Sequence, residues 1–269
     1  MEGGESDSGV MTQKDITIIT ICKNAESVIA GTMKSVLAQS YPSIEYIVID
    51  GRSTDRTLDI VKDMAAQYPS RDIKVRSEPD SGISDAMNKG IKYANGKIIN
   101  HLHAGDKYID NAVIDKVMKS HDHIKWRWAV AGSIAVDPSG KPLHLFKAEP
   151  DYRVLLKKNC VPHQSTFLVK DIFDKHGLFD VNYKQAMDYE YWLRIAFKGN
   201  ERYVVLPFNT TYFMEGGRSS NIIELLRYII MLRKSMRAYG CKTSALSDVI
   251  FIARIVAFYI LLKIKRVAN

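Results

Sequence analysis

The sequence predicts an α/β domain with a mostly parallel central sheet, flanked by helices and followed by a C-terminal helical extension. Two observations lead to this fold class. From residue 15 to residue 103, β-branched apolar runs alternate with segments of helical periodicity. Strands separated by helices pair in parallel through right-handed crossovers. Each apolar run also ends in a polar cluster, which is typical of a ligand site at one edge of such a sheet.

The first half is predicted to contain four strands and three helices. Strands are expected at residues 16–21, 46–49, 73–75 and 98–102, because these runs are apolar and rich in Ile and Val. The helices between them carry apolar residues at a spacing of three or four. These positions are Ile29, Met33, Val36 and Leu37, then Leu58, Val61, Ala65 and Tyr68, and then Ile83, Met87, Ile91 and Ala94.

The second half is predicted to mix strands and helices less regularly. A tight turn is expected at residues 137–140, and a helix from 188 to 198, where Gly199 supplies a stop signal. Strands are expected at residues 130–136, 165–169 and 203–206.

The chain is predicted to have three regions. Residues 1–14 are rich in Gly, Ser and acids, lack the apolar core of a signal peptide, and are predicted to be a disordered leader. Residues 15–220 form the main domain, divided into halves at 15–107 and 108–220. Residues 221–269 form a basic amphipathic helical tail.

The three cysteines are widely spaced and form no metal-binding motif. They are Cys22, Cys160 and Cys241. Together with the missing signal pattern, they indicate a reducing cytosol.

The net charge of +8 is concentrated in the tail. Residues 221–269 carry nine Lys or Arg and two acids, or +7, and residues 1–220 carry only +1. Nucleic-acid binding by the main domain is therefore not expected. The tail has apolar segments at 222–236 and 249–262, and the second is shorter than the roughly 20 residues that span a bilayer. We expect an interfacial helix pair on an anionic membrane surface, with a homodimer interface as the competing interpretation.

Polar clusters follow all four strands of the first half. They lie at residues 22–24, 50–55, 78–82 and 103–106. In open α/β sheets, ligands bind beyond the carboxyl ends of the strands, so four clusters at one edge predict a binding site there. Ordinary turn chemistry explains any one of them separately, because Gly, Ser, Asn and Asp are common in loops.

Seven short motifs along the chain follow a characteristic order. They are Thr20-Ile-Cys-Lys-Asn24, Ser35-Val-Leu-Ala-Gln-Ser40, Asp50-Gly-Arg-Ser-Thr-Asp-Arg-Thr57, Asp80-Ser-Gly-Ile-Ser-Asp-Ala-Met-Asn-Lys-Gly90, Ala104-Gly-Asp106, Pro162-His-Gln-Ser-Thr-Phe167 and Met187-Asp-Tyr-Glu-Tyr-Trp-Leu-Arg194. Over about residues 15–220, this order resembles the family-two glycosyltransferases with the GT-A fold, and most closely the bacterial branch that builds surface polysaccharides. The resemblance implies inverting transfer of a sugar from a nucleotide-diphosphate donor to an acceptor hydroxyl, with Mn²⁺ or Mg²⁺ as cofactor.

The same resemblance implies the partners and the location. The donor is expected to be a UDP-sugar, and the acceptor a glycan or a polyprenyl-linked sugar. The protein is expected to be cytoplasmic and peripheral on the inner face of the cytoplasmic membrane, with the tail making the contact.

The resemblance assigns the donor site to polar residues at the strand ends, on one helix and in one later segment. They are Thr20, Asn24, Glu26, Asp50, Arg52, Asp80, Asn88 and Arg218. Glu26 equally suits the first turn of a helix, and Arg52 faces either a phosphate or solvent. Asn88 also fits a helix C-terminus, and Arg218 lies in a polar segment that could be only a linker.

Asp106 is the predicted metal ligand. A cation that bridges both phosphates stabilises the leaving diphosphate as a Lewis acid, and hard cations prefer carboxylate oxygens. Family members usually have two acids, or an Asn followed by two acids, at this strand end. This chain has His103, Ala104 and Gly105 before its single Asp, and an imidazole there suits Mn²⁺ better than Mg²⁺. The alternative is an Asp that only caps the turn.

Asp188 is the predicted general base, which takes the proton of the acceptor hydroxyl. Glu190 is the other candidate, but it lies four residues before Arg194 and is expected to form an ion pair with it. The alternative for Asp188 is a helix N-cap. On the acceptor side, the resemblance assigns His163 and Gln164.

Two rival functions remain open at this stage. A nucleotidyltransferase would need a glycine-rich phosphate loop after the first strand, and residues 22–26 contain no Gly. A catalytically weak nucleotide-sugar-binding subunit docked at the membrane would explain the thinned acidic motif at Asp106, although the retained Asp188 argues against it.

Overall fold

The computed structural model describes residues 13–214 and 222–241, together with residues 244, 249, 250, 252 and 253. Most of the predicted leader and most of the tail beyond residue 241 lie outside the described residues. The segment with Arg218 lies outside them too, so the donor contact of Arg218 stays a prediction.

Nine strands occur in the described part of the chain. They are β1 (Ile16–Cys22), β2 (Ile44–Asp50), β3 (Asp72–Ser77), β4 (Ile98–His101), β5 (Lys107–Tyr108), β6 (Trp128–Val136), β7 (Pro142–Phe146), β8 (Thr166–Val169) and β9 (Tyr203–Met214). They form one sheet in the order β3-β2-β1-β4-β8-β6-β9-β5, with β7 paired to β6.

The sheet has a parallel part and a mixed part. From β3 to β4 every pairing is parallel. Beyond β4 the pairings are antiparallel, except for β6 with β9. The α/β fold class is confirmed, and the parallel part coincides with the first half of the predicted main domain.

The helices cover both faces of the sheet. They are α1 (Ile29–Leu37), α2 (Thr57–Gln67), α3 (Ile83–Tyr93), α4 (Val113–Ile124), α5 (Asp171–His176), α6 (Met187–Leu193) and α7 (Ile222–Ala238). Short 3₁₀ helices lie at Tyr152–Leu156 and His163–Ser165, and a π-helical turn at Arg194–Lys198 continues α6.

Two predicted elements of the second half have different bounds in the structure. The predicted helix 188–198 is α6 followed by the π-helical turn. The predicted strand 203–206 continues as β9 to Met214, although Pro207 and the polar residues after it interrupt the apolar run. The continuation depends on β9 pairing with both β6 and β5, which are distant in sequence.

Side chains of β1 alternate between two apolar cores. Ile16 and Ile18 belong to the core that contains the buried residues of α1, α2 and α4. Ile19 and Ile21 belong to the core that contains those of α3 and α6. Because both faces are covered, β1 is apolar along most of its length, which explains why its pattern does not alternate.

The side chain of Glu45 on β2 connects neighbouring strands of the parallel part through hydrogen bonds. Its carboxylate accepts hydrogen bonds from Thr17 on β1, from Lys74 on β3 and from the backbone of Asn95 before β4. Burial by itself would raise the pKa of Glu45, but these hydrogen bonds hold it below its ordinary value. The folded structure therefore favours the ionised form of Glu45.

Helix α7, the first helix of the predicted tail, packs on the main domain. Leu232 and Met236 are buried in the same core as α6. Ile230, on another side of the helix, is 56% exposed. Among the described residues, no helix is long and apolar enough to cross a membrane.

Replacing Glu45 by Ala should lower the free energy of unfolding by about 2–4 kcal/mol at pH 7, because Lys74 and three hydrogen-bond donors of Thr17 and Asn95 lose their acceptor. The stabilisation is fully present above the unfolded pKa of about 4.3 and is lost as the pH falls through the lowered folded pKa. The difference between wild type and variant should therefore shrink in acid. Urea unfolding at pH 7 and at pH 3 measures it.

The matched control is Asp63→Ala, which removes an exposed acid of α2 and should change stability by no more than about 0.5 kcal/mol. Equal unfolding free energies for Glu45→Ala and wild type at pH 7 would contradict the role of this carboxylate.

Candidate active site

The loops after β1, β3 and β4 enclose a cleft of about 690 Å³, a size typical of small-molecule sites. It lies at the carboxyl ends of the parallel strands, where the polar clusters predicted it. The polar or small residues that line it include Lys23 and Asn24 after β1, Asp80 and Gly82 after β3, and His103 and Ala104 after β4. Asn24 and Asp80 are the predicted donor residues found in this lining.

The loops after β1 and β2 are tied to each other. The Asn24 side chain accepts a hydrogen bond from the Thr54 backbone at 2.9 Å, and Glu26 accepts one from the Arg56 backbone at 2.9 Å. Glu26 therefore interacts with the start of α2, the helix after β2. Asn24 and the exposed Arg52 both have positive φ, near 50° and 54°, a conformation that tight functional loops often contain.

Asp50 holds the ends of β2 and β3 together from inside the protein. Its carboxylate accepts hydrogen bonds from the backbone and hydroxyl of Ser53 and, at 2.6 Å, from the hydroxyl of Ser77. It is fully buried and does not line the cleft. Burial, reinforced by the charge of Asp50, raises the pKa of the neighbouring Cys22 thiol to about 12, so this cysteine stays protonated.

Two other predicted donor residues make their hydrogen bonds within the protein. The Thr20 hydroxyl donates to the Leu102 carbonyl at 2.7 Å and accepts from the Tyr46 hydroxyl at 3.0 Å. The Asn88 amide pairs with both backbone groups of Phe179, at 2.8 and 3.0 Å. Neither side chain lines the cleft, so the structure gives both a scaffolding position.

The segment from Asn88 to Gly90 does not end a helix, because α3 continues to Tyr93. A Cβ on Gly90 would lie 2.3 Å from Cγ2 of Ile19. The glycine therefore allows α3 to pack closely on β1, which corrects the C-terminus interpretation.

Asp80, which lines the cleft, lies over Gly51. A Cβ on Gly51 would be 2.1 Å from Oδ2 of Asp80 and 3.2 Å from Cδ of Lys23. The other oxygen of Asp80 accepts a hydrogen bond from the Gly82 backbone at 3.0 Å. Gly51 therefore leaves room for the Asp80 carboxylate and for the aliphatic chain of Lys23. Lys23 was not among the predicted site residues, although it lies within the predicted polar cluster 22–24.

The end of β4 is a tight turn that points Asp106 inward. Gly105 has a φ of 106°, and its backbone donates to the Thr32 hydroxyl at 2.9 Å. The Asp106 backbone donates to the His103 carbonyl at 2.9 Å. Burial raises the pKa of Asp106 to about 7, opposed by a hydrogen bond from the His103 backbone to its carboxylate.

The donor set at this strand end does not fit a carboxylate-held Mn²⁺ or Mg²⁺. Asp106 is turned back toward the backbone of His103, and Ala104 and Gly105 between them have no ligating side chain. Within the described ranges, no group of three or more His, Cys, Asp or Glu is placed to hold a metal ion. The geometry agrees better with the alternative interpretation of Asp106 as a turn residue.

Three histidines meet beside this turn. Nε2 of His103 lies 3.3 Å from Nε2 of His163, and the ring centroids of His101 and His163 are 5.5 Å apart. Burial, followed by the neighbouring imidazoles, lowers the pKa of His101 and His163 to about 3 and that of His103 well below its ordinary value. All three rings are therefore neutral at pH 7. His101 was not among the predicted site residues, because a lone His in a strand carries no distinctive pattern.

Gln164 directs its side chain away from the cleft. Its amide donates to the Ser133 hydroxyl at 2.8 Å, and its backbone carbonyl accepts from the Asn100 side chain at 3.2 Å. These contacts hold the 3₁₀ turn at His163–Ser165 against β4 and β6. Gln164 thereby helps to position His163.

Asp188 lies in the first turn of α6, which begins at Met187. The residue before the helix is Ala186, in a left-handed conformation with φ 54°, so Asp188 is not the N-cap. Its partly exposed carboxylate accepts a hydrogen bond from the Tyr189 backbone at 2.8 Å. Burial raises the pKa of Asp188, opposed by that backbone bond and by a side-chain hydrogen bond from Asn159.

Glu190 forms the predicted ion pair with Arg194. The two side chains make two hydrogen bonds, at 3.1 and 2.8 Å, and the Tyr239 hydroxyl donates to Glu190 at 2.6 Å. Arg194 also donates to the backbone carbonyls of His176 and Leu178. Glu190 is buried, so this network joins α6 to the residues after α5 and after α7.

Comparison with known proteins identifies the family of this chain. The family model for "Glycosyl transferase family 2" matches residues 17–161. The uncharacterized glycosyltransferase Rv1514c of Mycobacterium tuberculosis is 32% identical over 205 residues, covering 73% of this chain and 75% of that protein. The Escherichia coli protein WfaP, a UDP-Glc:alpha-D-GlcNAc-diphosphoundecaprenol beta-1,3-glucosyltransferase, is 27% identical over 232 residues, covering 81% and 85%.

A solved structure shares the architecture at lower identity. Residues 1–349 of Staphylococcus aureus TarS, in complex with UDP-GlcNAc, superpose with a TM-score of 0.66 and 17% identity, covering 90% of this chain and 71% of TarS. At this identity the likeness establishes the fold, and the family model with the relatives establishes the class of activity. The chain belongs to glycosyl transferase family 2 and is a glycosyltransferase with the GT-A fold.

Proposed function

We propose that the protein transfers a sugar, with inversion, from a UDP-sugar to a hydroxyl of a polyprenyl-linked glycan, and that Asp188 is the general base. The observation that carries this proposal is the cleft at the strand ends, which Lys23 and Asp80 line on one side and His103 on the other. WfaP, named for a UDP-Glc donor and a diphosphoundecaprenol acceptor, supports these substrate classes. TarS in complex with UDP-GlcNAc supports the donor class.

The nucleotide half of the donor fits the cleft between the loops after β1 and β3. Asp80 offers one carboxylate oxygen that is not engaged by Gly82, and it suits a hydroxyl or N–H donor of the nucleoside. Lys23 lines the same cleft and carries a positive charge, which suits a phosphate. Asn24 and Glu26 hold the loops in place, and Asp50 holds the strand ends. Arg52 is exposed in the loop after β2.

Asp188 suits the base because its environment raises its pKa. Its carboxylate takes the proton of the acceptor hydroxyl while the hydroxyl oxygen bonds to the anomeric carbon of the donor sugar. The bond from that carbon to the β-phosphate oxygen breaks, and UDP leaves with the electron pair. A carboxylate with a raised pKa is a stronger base than an ordinary Asp, which matches the task.

A divalent cation is the cofactor that the family resemblance implies, and Asp106 was predicted to bind it. When bound, such a cation supplies Lewis-acid stabilisation of the leaving diphosphate. Because the donor set does not fit it, the proposed function includes no step through a cation. Asp106 is assigned to the turn that presents His103.

Membrane contact is proposed for the tail, because a polyprenyl-linked acceptor is held at a membrane. Helix α7 buries one stripe on the main domain and leaves Ile230 exposed, and Val249 is 63% exposed. With the +7 charge of residues 221–269, these apolar positions suit an anionic membrane surface.

Family members usually have two acids at the end of β4, and this chain has only Asp106 there. This difference favours a second candidate, a catalytically weak nucleotide-sugar-binding subunit. This subunit would bind UDP with the same cleft but would show no transfer above the level of an Asp188 variant. Binding and transfer measurements therefore separate the two.

UDP should stabilise the protein against heat if the cleft is the donor site. At one hundred times its dissociation constant, UDP contributes about 2.7 kcal/mol, which corresponds to a rise in Tm of roughly 5–10 °C for a domain of this size. Differential scanning fluorimetry with UDP, with Asp80→Ala as the variant and Asp63→Ala as the control, measures it. The shift should fall in Asp80→Ala only, and no shift in wild type would refute the donor site.

Asp188→Asn should lower kcat by about 10²- to 10⁴-fold, the usual contribution of a general base, with UDP affinity unchanged. Because burial penalises the ionised carboxylate, the variant should be at least as stable as wild type at pH 7. Glu190→Gln is the matched control and should show the opposite pattern. It should lower the unfolding free energy by about 2–4 kcal/mol and keep kcat within a few-fold.

The pH dependence of transfer should report Asp188. The base acts only when deprotonated, so kcat should fall as the pH drops through the raised pKa. The acid limb should therefore lie above the ordinary Asp value of about 3.9. Steady-state rates from pH 4 to pH 8 measure it, and a limb at or below pH 3.9 would exclude Asp188 as the titrating base.

A further inference from the structure

His103 is the point where the donor cleft meets the acceptor side. The residue is part of the cleft lining. Nε2 of its ring lies 3.3 Å from Nε2 of His163, which belongs to the 3₁₀ turn before β8. Since Nε2 faces His163, Nδ1 is the ring nitrogen of His103 that remains for a ligand in the cleft.

The burial of His163 indicates which of the two rings donates the hydrogen bond between the Nε2 atoms. Nδ1 of His163 is buried without a hydrogen-bond partner. If His163 accepted from His103, its Nδ1 would have to carry an unpaired buried N–H, and orphaned N–H groups are rarer than orphaned acceptors. His163 therefore donates from Nε2, and His103 holds its proton on Nδ1. The contact thus fixes the tautomer of His103.

The strand order places His103 between the nucleotide side and the acceptor side of the proposed site. β4 lies between β1 and β8 in the sheet. The loops after β1 and β3 form the nucleotide side through Lys23 and Asp80, and the turn before β8 carries His163 toward the acceptor side. A diphosphate joins the nucleoside to the sugar that is transferred, so it must cross the end of β4.

We propose that His103 donates a hydrogen bond from Nδ1 to the leaving diphosphate of the donor, and that this neutral imidazole serves where a carboxylate-held cation would otherwise act. His163 is the positioning residue that sets its tautomer. The inference rests on the proposed donor site, and its consequence is that donor binding and transfer do not require a divalent cation.

The chemistry needs no proton transfer from the ring. As the bond between the anomeric carbon and the β-phosphate oxygen breaks, negative charge develops on the phosphate oxygens. A preorganised N–H in a partly buried site stabilises such charge, and neutral imidazoles act in this way in other enzymes. Lys23 adds a positive charge to the same cleft.

Calorimetry on the metal-stripped full chain tests the proposal, with UDP and uridine as ligands in EDTA and then in Mn²⁺. Wild type should bind UDP in EDTA, and Mn²⁺ should change its affinity less than threefold. His103→Ala should weaken UDP binding in EDTA about tenfold, as expected for one hydrogen bond to a charged group, and should leave uridine binding unchanged. His123→Ala, an exposed His of α4, is the control for loss of a histidine.

Kinetics and NMR test the division of roles. In EDTA, His103→Ala should lower kcat about 10²- to 10³-fold, as for removal of one oxyanion donor. His163→Phe keeps a ring in place but removes the donor to His103, and it should lower kcat more than it raises KM. The ¹⁵N spectrum of His103 should show protonated Nδ1 in wild type and a tautomer mixture in His163→Phe.

The outcomes separate this inference from the proposed function. Wild type that gains tenfold or more in UDP affinity with Mn²⁺, or His103→Ala that binds UDP in EDTA as well as wild type, overturns the role of His103 while the donor site stands. Wild type that binds no UDP in either condition overturns both.

Discussion

The buried carboxylate of Asp50 is the contact on which the candidate site depends. It lies at the end of β2 and accepts hydrogen bonds from Ser53 in the following loop and from Ser77 at the end of β3. Because parallel strands carry no direct turn between them, side-chain contacts of this kind add to the backbone pairing that fixes their ends. With Asp50 in place, Asn24 and Glu26 can hold the first loop to the second, and Asp80 can lie over Gly51.

The parallel part and the mixed part of the sheet contribute different residues to the candidate site. The loops of the parallel part line the cleft that is proposed to bind the donor, and the mixed part carries α6 and the turn with His163. β4 belongs to both parts, since it pairs in parallel with β1 and antiparallel with β8. The histidines at its end therefore lie between the two parts of the sheet, and burial lowers the pKa of these two and of His163, so that their rings add no charge at pH 7.

Sequence reasoning was most successful where local geometry determines the contact. The alternation of strands and helices predicted the parallel part, and the four-residue spacing of Glu190 and Arg194 predicted their ion pair. The sequence carried no signal for the hydrogen-bond partners of polar residues inside elements. Thr20 and Asn88 resemble donor-binding positions, yet their partners are Leu102 and Phe179, which are distant in sequence. A hydrogen bond across more than eighty residues leaves no local pattern.

The sequence by itself determined the fold class, the edge of the sheet where the cleft lies, and the family of the chain, because these follow from periodicity and from the order of motifs. Only the tertiary structure decided which polar side chains face the cleft. It directed Thr20, Asp50 and Asn88 inward, and it left Lys23 and Asp80 in the cleft. It also brought His103 and His163 together from opposite halves of the domain, since strand pairing across the chain, rather than local preference, sets that distance.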